Sequence, residues 1–159
     1  MRRLLKLNIW MVLSALASVI HADSSDPVYL IAAADIDGTT YREVAFMHER
    51  DIRELGQCER ARRQGMMGRW QYYVHTSLAT PGFSYSLTYF CAQGPFNLSK
   101  WTGVGERYIH VYEVDVTEGI LKITAHDTYE ECEVAVRASR EESVPTHFCG
   151  KGSQIIRLP

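Results

Sequence analysis

Four cysteines are the residues best placed to do chemistry, and the chain sets them out twice in the same company. Cys58-Glu59-Arg60-Ala61-Arg62-Arg63 is followed by Tyr89-Phe90-Cys91-Ala92-Gln93-Gly94. Cys132-Glu133-Val134-Ala135-Val136-Arg137 is followed by His147-Phe148-Cys149-Gly150-Lys151-Gly152. The shared pattern is C-E-x-A-x-R and then F-C-x-x-G. Four oxidised cysteines allow three pairings. The repetition selects Cys58–Cys91 and Cys132–Cys149, each tying a helix to a later strand of its own half. Each bridge should stabilise by ~2–4 kcal/mol, chiefly by restricting the unfolded chain. A four-cysteine zinc site would need closely spaced C-x-x-C knuckles, and the sequence has none.

Asp35 and Asp37 are a second candidate pair, in Asp35-Ile36-Asp37-Gly38-Thr39 after the apolar run Val28 to Ala34. The stretch resembles motif I of the haloacid-dehalogenase-like phosphatases. The resemblance implies a nucleophilic Asp35, an acid/base Asp37, a divalent metal and a parallel strand followed by a helical crossover. It is confined to this stretch: the later acidic and lysine motifs are not found. A hairpin accounts for the same residues, because Asp-Gly between two strand-like runs suits turn positions with φ > 0.

Two histidine–acid pairs, His48-Glu49 and His126-Asp127, stand just before the expected helices. Such pairs could hold a metal or exchange a proton. Acids there also suit the positive end of a helix dipole. Glu59 with Arg63 and Glu133 with Arg137 are spaced four apart with the acid first, an ion-pair order contributing roughly 0.2–0.5 kcal/mol. His110 and His147 fall on strands in unrelated contexts. Metalloprotease, nucleophile-elbow, phosphate-loop and dinucleotide fingerprints are absent from the sequence, and neither a cofactor nor a metal is expected. Tyr73, His75, Phe90, Phe96 and Trp101 fall on the polar face of strands or in a linker. Exposed aromatics grouped together mark a binding surface.

The elements that must position these residues follow from periodicity. Strands are expected over 28–36 and 39–47, around the Asp-Gly turn. Asp51 with Glu54 suits the start of a helix carrying Ile52, Leu55, Cys58 and Ala61 on one face. Trp70 to Leu78 and Phe83 to Cys91 alternate as strands around Pro81-Gly82. Residues 95–106 read as a linker, with an N-glycosylation acceptor pattern at Asn97-Leu98-Ser99. Strands over 108–116 and 120–125, a Thr128-capped helix and strands over 144–149 and 153–158 repeat the plan. Short turns favour antiparallel pairing. The expected fold is therefore α+β: an antiparallel sheet with two helices packed on one face. It would be built from two duplicated ββαβ-like halves, about 27–94 and 107–159, each stapled by a helix-to-strand disulfide.

The ends and the charge bound the function. Arg2, Arg3 and Lys6 precede an apolar run to Ile20, with Ala22 at a cleavage point. This reads as a signal peptide over 1–22 and a single domain over 23–159. The apolar run is shorter than a membrane span, so no stable anchor is expected after cleavage. Removing 1–22 takes three of the 17 basic residues and none of the 19 acidic ones, leaving 14 against 19, a net charge of −5. That sign gives nucleic acid or an anionic membrane no purchase. The leading expectation is a periplasmic or secreted binding protein whose partner is another protein, of inhibitor or toxin-neutralising (immunity) type, and not an enzyme. The alternatives are a metal-dependent phosphohydrolase using Asp35 and Asp37, and a small-ligand or glycan binder.

Overall fold

A computed structural model describes residues 26–49, 51–64, 84–103, 107–139 and 146–157. The chain runs β1 (Val28–Ile36), β2 (Arg42–Met47), α1 (Leu55–Gln64), β3 (Tyr85–Gln93), β4 (Asn97–Leu98) and β5 (His110–Asp115). It continues as β6 (Lys122–His126), α2 (Tyr129–Ala138), β7 (His147–Gly152) and β8 (Ile156–Arg157). The signal peptide expected over 1–22 and the strand expected over 70–78, with Tyr73 and His75, lie outside the described residues.

Six strands form one sheet in the order β3-β1-β2-β7-β5-β6, and β4 pairs with β8 apart from it. The fold is α+β. β1 pairs antiparallel with β2 on one side and β3 on the other. β5 does the same with β6 and β7. Both trios therefore have the same strand order and the same senses. They meet at β2 and β7, which run parallel. The sheet is thus mixed, a correction to the antiparallel one expected. Turns dictate the sense of consecutive strands only, and β2 and β7 are far apart in the chain.

Register shows which face each helix covers. On β1, Val28, Leu30, Ala32 and Ala34 join Ile52, Cys58 and Tyr89 in the cluster under α1. Ala34 lies opposite Glu43, Glu43 opposite Lys151, and Lys151 opposite Val111. Val111 packs with Cys132 and Val136 of α2, so both helices share one face. On the other face Tyr29, Ile31, Val44, Phe46, Tyr112, Val114 and Phe148 form the largest cluster. Phe96, Leu98 and Ile156, from the linker and the chain's end, pack against it. Cover on both faces explains why β1 reads as an unbroken apolar run.

The disulfides are Cys58–Cys91 and Cys132–Cys149, each joining a helix to a strand with Cα atoms 5.9 Å apart. α2 begins as expected: Thr128 Oγ1 accepts from the Glu131 N–H, and the Glu131 carboxylate accepts from the Thr128 N–H. α1 begins at Leu55, later than Asp51 would place it. The Glu54 carbonyl accepts its first bonds from Gln57 and Cys58, and the Gln57 amide reaches back to the Arg53 N–H. The repeated ion pair forms as Glu133–Arg137 in α2, but as Glu59–Arg62, three apart, in α1. The β1–β2 connection is longer than a two-residue hairpin. Its last pair is Asp35↔Arg42, and the Thr39 N–H closes a turn onto the Ile36 carbonyl. Only Gly38 of that turn takes positive φ, at 80°, so β2 starts at Arg42 instead of Thr39.

The bridges close loops of sequence separation 33 and 17. The chain-entropy relation makes the longer loop worth about 0.6 kcal/mol more. Chemical denaturation of Cys58→Ser/Cys91→Ser and Cys132→Ser/Cys149→Ser is expected to show the first pair as the costlier loss. Equal losses, or peptide maps linking Cys58 to Cys149, would contradict the pairing logic.

Candidate functional site

β2 ends at Met47, and after His48 the chain turns, with the Ile52 N–H donating to the Glu49 carbonyl. Ile52 is buried beneath α1, which the Cys58–Cys91 bridge holds over the sheet. On the other side the linker after β4 is tied to the chain's end. The Ser99 N–H donates to the Ile155 carbonyl, and the Ile155 N–H to Ser99 Oγ. Between these two walls lies a cleft of about 800 Å³. Tyr29, Phe46, Met47, Ile52, Ala61, Leu98 and Trp101 give it apolar lining; His48, Glu49, Asp51, Arg60, Gln64 and Lys100 add charge of both signs and polarity.

Several of these groups have their options fixed. Trp101 Nε1 donates to the Tyr108 hydroxyl at 3.1 Å, so the ring, and not its N–H, is what remains for a ligand. His48 Nδ1 donates to the Val28 carbonyl at 2.8 Å, which leaves Nε2 open. Among the described residues, Arg60 has only a distant pairing with Glu54, at 3.9 Å. Gln154, 2% exposed, holds the cleft together. Its Oε1 accepts from the Phe46 N–H at 2.7 Å, and its Nε2 lies 2.8 Å from the Phe46 carbonyl and 2.7 Å from that of Ser99.

A second polar cluster lies on the helix face of the other trio. Glu113 receives His126 Nε2 on one oxygen at 3.0 Å and His147 Nε2 on the other at 2.8 Å. Burial pushes the Glu113 carboxyl up; the hydrogen bonds and charge of the two imidazoles outweigh it and hold the group below the usual glutamate range. Glu113 lies opposite Cys149 as Leu30 lies opposite Cys91. A carboxylate therefore occupies the place that a buried leucine fills in the first trio. Ser139 Oγ lies 3.3 Å from His147 Nδ1, but also 3.0 Å from the carbonyls of Ala135 and Val136. Its one proton serves the helix end, which does not suit a nucleophile. Among the described residues no His, Cys, Asp and Glu group is arranged to hold a metal ion.

The residues singled out in the sequence fall in different places. Trp101 lines the cleft. Phe90 and Phe96 are half-buried on the face opposite the helices, Phe90 stacked on Phe148 at 5.5 Å between centroids. They are packed against the core, and the structure does not gather them with Trp101. Tyr73 and His75 lie outside the described residues. Asn97 is exposed at the start of β4. Asp35 is held bidentately by Arg42, at 2.7 and 3.0 Å, and Ser84 donates to Asp37. Both aspartates belong to an antiparallel hairpin, not to a parallel strand leading into a crossover. His48 and Glu49 line the cleft and cap nothing, since α1 starts six residues on. His126 turns to Glu113. Gln154 and Glu113 were not singled out. Strand alternation reads Glu113 as solvent-facing, and no local pattern marks Gln154.

No known protein family, characterised protein or solved structure matches the chain. Among the described residues no helix is long and apolar enough to cross a membrane.

Gln154→Leu would leave two backbone groups of Phe46 and the Ser99 carbonyl without their partner. A loss of about 2 kcal/mol or more is expected by denaturant titration; a neutral result would mean that the linker wall stands without this amide. Glu113 carries a pH signature. Its carboxyl is lowered in the folded state, so its stabilisation is present above the ordinary glutamate value and is lost as pH falls through the lowered one. Melting curves from pH 6 to pH 3 should drop more steeply for the parent than for Glu113→Gln. Parallel curves would remove the carboxylate from the account.

Proposed function

We propose that the chain is an exported, disulfide-bonded binding protein, periplasmic or secreted, that takes a segment of another protein into the cleft between α1 and the 98–102 linker. The cleft carries this reading: about 800 Å³ of concave surface that mixes apolar side chains with polar groups and charge of both signs. Concave apolar surface with a few placed polar groups is where proteins take ligands. Trp101 contributes a ring there, and tryptophans at such positions are typical hot spots. The two disulfides are compatible with a secreted protein, since oxidising compartments are where such bonds persist. The shared strand order and bridge placement of the trios support an origin by duplication. The phosphohydrolase alternative loses its structural context, because Asp35 is engaged by Arg42 in a hairpin.

The size of the cleft also favours a second reading, a small ligand or glycan stacked on Trp101. Site-specific photo-crosslinking from within the native compartment separates the two. A photoreactive residue at exposed Lys100 is expected to give a protein adduct, and one at exposed Val134 on α2 is not. Trp101→Ala should weaken binding about 30-fold, the ~2 kcal/mol of a hot spot. It should also lower the melting temperature, because Trp101 packs against the cluster under α1. Absence of any protein adduct, with a small molecule retained in native mass spectra, would replace the first reading with the second.

A further inference from the structure

The cleft has a floor that hydrogen-bonds like a strand edge. β2 is flanked by β1 over six residue pairs. On its other side β7 pairs with it at only two, Glu43↔Lys151 and Val44↔Gly152. The next place on that side is taken by a side chain: the Gln154 carboxamide bonds both the N–H and the carbonyl of Phe46. A carboxamide has the donor and acceptor of one peptide unit, so Gln154 stands in for one residue of a missing neighbour strand. Backbone groups alternate in direction along a strand, so residues two apart present theirs to the same side. His48 is two residues past Phe46. Its ring is anchored beside β1 by the Val28 carbonyl and lies 5.5 Å from the Tyr29 ring. No described residue is bonded to its N–H or carbonyl. Phe46, His48 and Gln154 all line the cleft.

We infer that the partner segment enters this cleft as an added strand: an extended peptide laid against β2 beyond Phe46, in line with Gln154, with its main chain bonded to His48. The inference rests on the protein-binding reading of the cleft. The occupant is identified by what the edge offers: the N–H and carbonyl of His48, next in line after the carboxamide-filled place at Phe46, are complemented by the main chain of an extended peptide. Open strand edges template such pairing, and strand addition draws affinity from main-chain bonds and specificity from alternate side chains. Alternation would send those side chains in turn toward α1 and toward the linker around Leu98.

The test uses the mature, disulfide-bonded protein and amide hydrogen exchange by NMR, with dodecapeptides selected on it from a random phage-displayed library. In the free protein the His48 amide should exchange at least 100-fold faster than that of Phe46. Equal protection would show the edge already filled, and would overturn the inference. With a selected peptide the His48 amide should slow at least tenfold. N-methylation of the peptide nitrogen facing β2 should weaken binding at least tenfold, and methylation of its neighbour less than twofold. A peptide that shifts the Trp101 indole signal yet leaves His48 unprotected and tolerates N-methylation would sink strand addition while the protein-binding reading stands. Failure to select any peptide that moves the Trp101 signal would also sink it. If crosslinking from position 100 gave no protein adduct as well, the protein-binding reading would fall with it.

Discussion

Within the sheet two residue pairs of β2 and β7 join the two trios, with an isolated bridge from Gln93 to Ile120 at the far edges, and much of the remaining structure is arranged around that short seam. A parallel contact of this length is weak by itself, and side chains stitch it from both faces. On the helix face Lys151 lies opposite Glu43, whose carboxyl burial pushes up and the Lys151 charge pulls partly back. The Lys151 ammonium also sits 3.7 Å from the centroid of the Tyr41 ring. The Tyr129 hydroxyl accepts from the Arg42 N–H and donates to the Cys149 carbonyl, bridging β2 and β7 from α2. On the opposite face the Arg42 guanidinium lies over the Phe148 ring while it grips Asp35. The aspartate that resembles a nucleophile is thus part of the seam.

Glycine makes the seam possible. A Cβ on Gly150 would stand 2.9 Å from Val44, and one on Gly152 would stand 2.8 Å from the Tyr112 ring. Side chains there would force β2 and β7 apart or displace the rings between them. The repeated F-C-x-x-G pattern therefore has an unequal meaning in its two copies. In the first, Gly94 packs against Leu121; in the second, Gly152 belongs to the joint itself.

This division explains what was legible in the sequence. The cysteine pairing, the alternating strand ending at Cys91 and the Thr128 capping box are written in local spacing, and the structure has them. The seam is long-range and too short to leave a periodic signature, so its parallel sense was not readable. The start of α1 was misplaced because Asp51 and Glu54 match a capping pattern, whereas Ile52 is needed in the core just before the helix. Glu113 was hidden by its own alternation: it reads as a solvent face until α2 lies across it. Its half-buried place beside His126 and His147, where the other trio carries Leu30, is a polar solution to a position that an apolar residue fills elsewhere in the same chain. The sequence groups Trp101 with Phe90 and Phe96, and only the fold separates them: Trp101 lines the cleft, while Phe90 and Phe96 pack on the other face.

The shortness of the seam also shapes the cleft. Had β7 continued alongside β2 past Val44, its residues would have met Phe46 and His48, and the edge now lining the cleft would be closed. Instead the chain leaves β7 at Gly152, Gln154 fills a single place, and the linker is drawn in by the same carboxamide. One side chain thus ends the sheet's pairing and positions a wall of the cleft. The stitching by Lys151, Arg42 and Tyr129 lets the joint hold without a longer ladder, and among the described residues the incomplete ladder leaves the His48 backbone groups unbonded beside the cleft. The polar groups of the seam and the opening of the cleft are two consequences of one constraint, the limited length over which the two trios are paired.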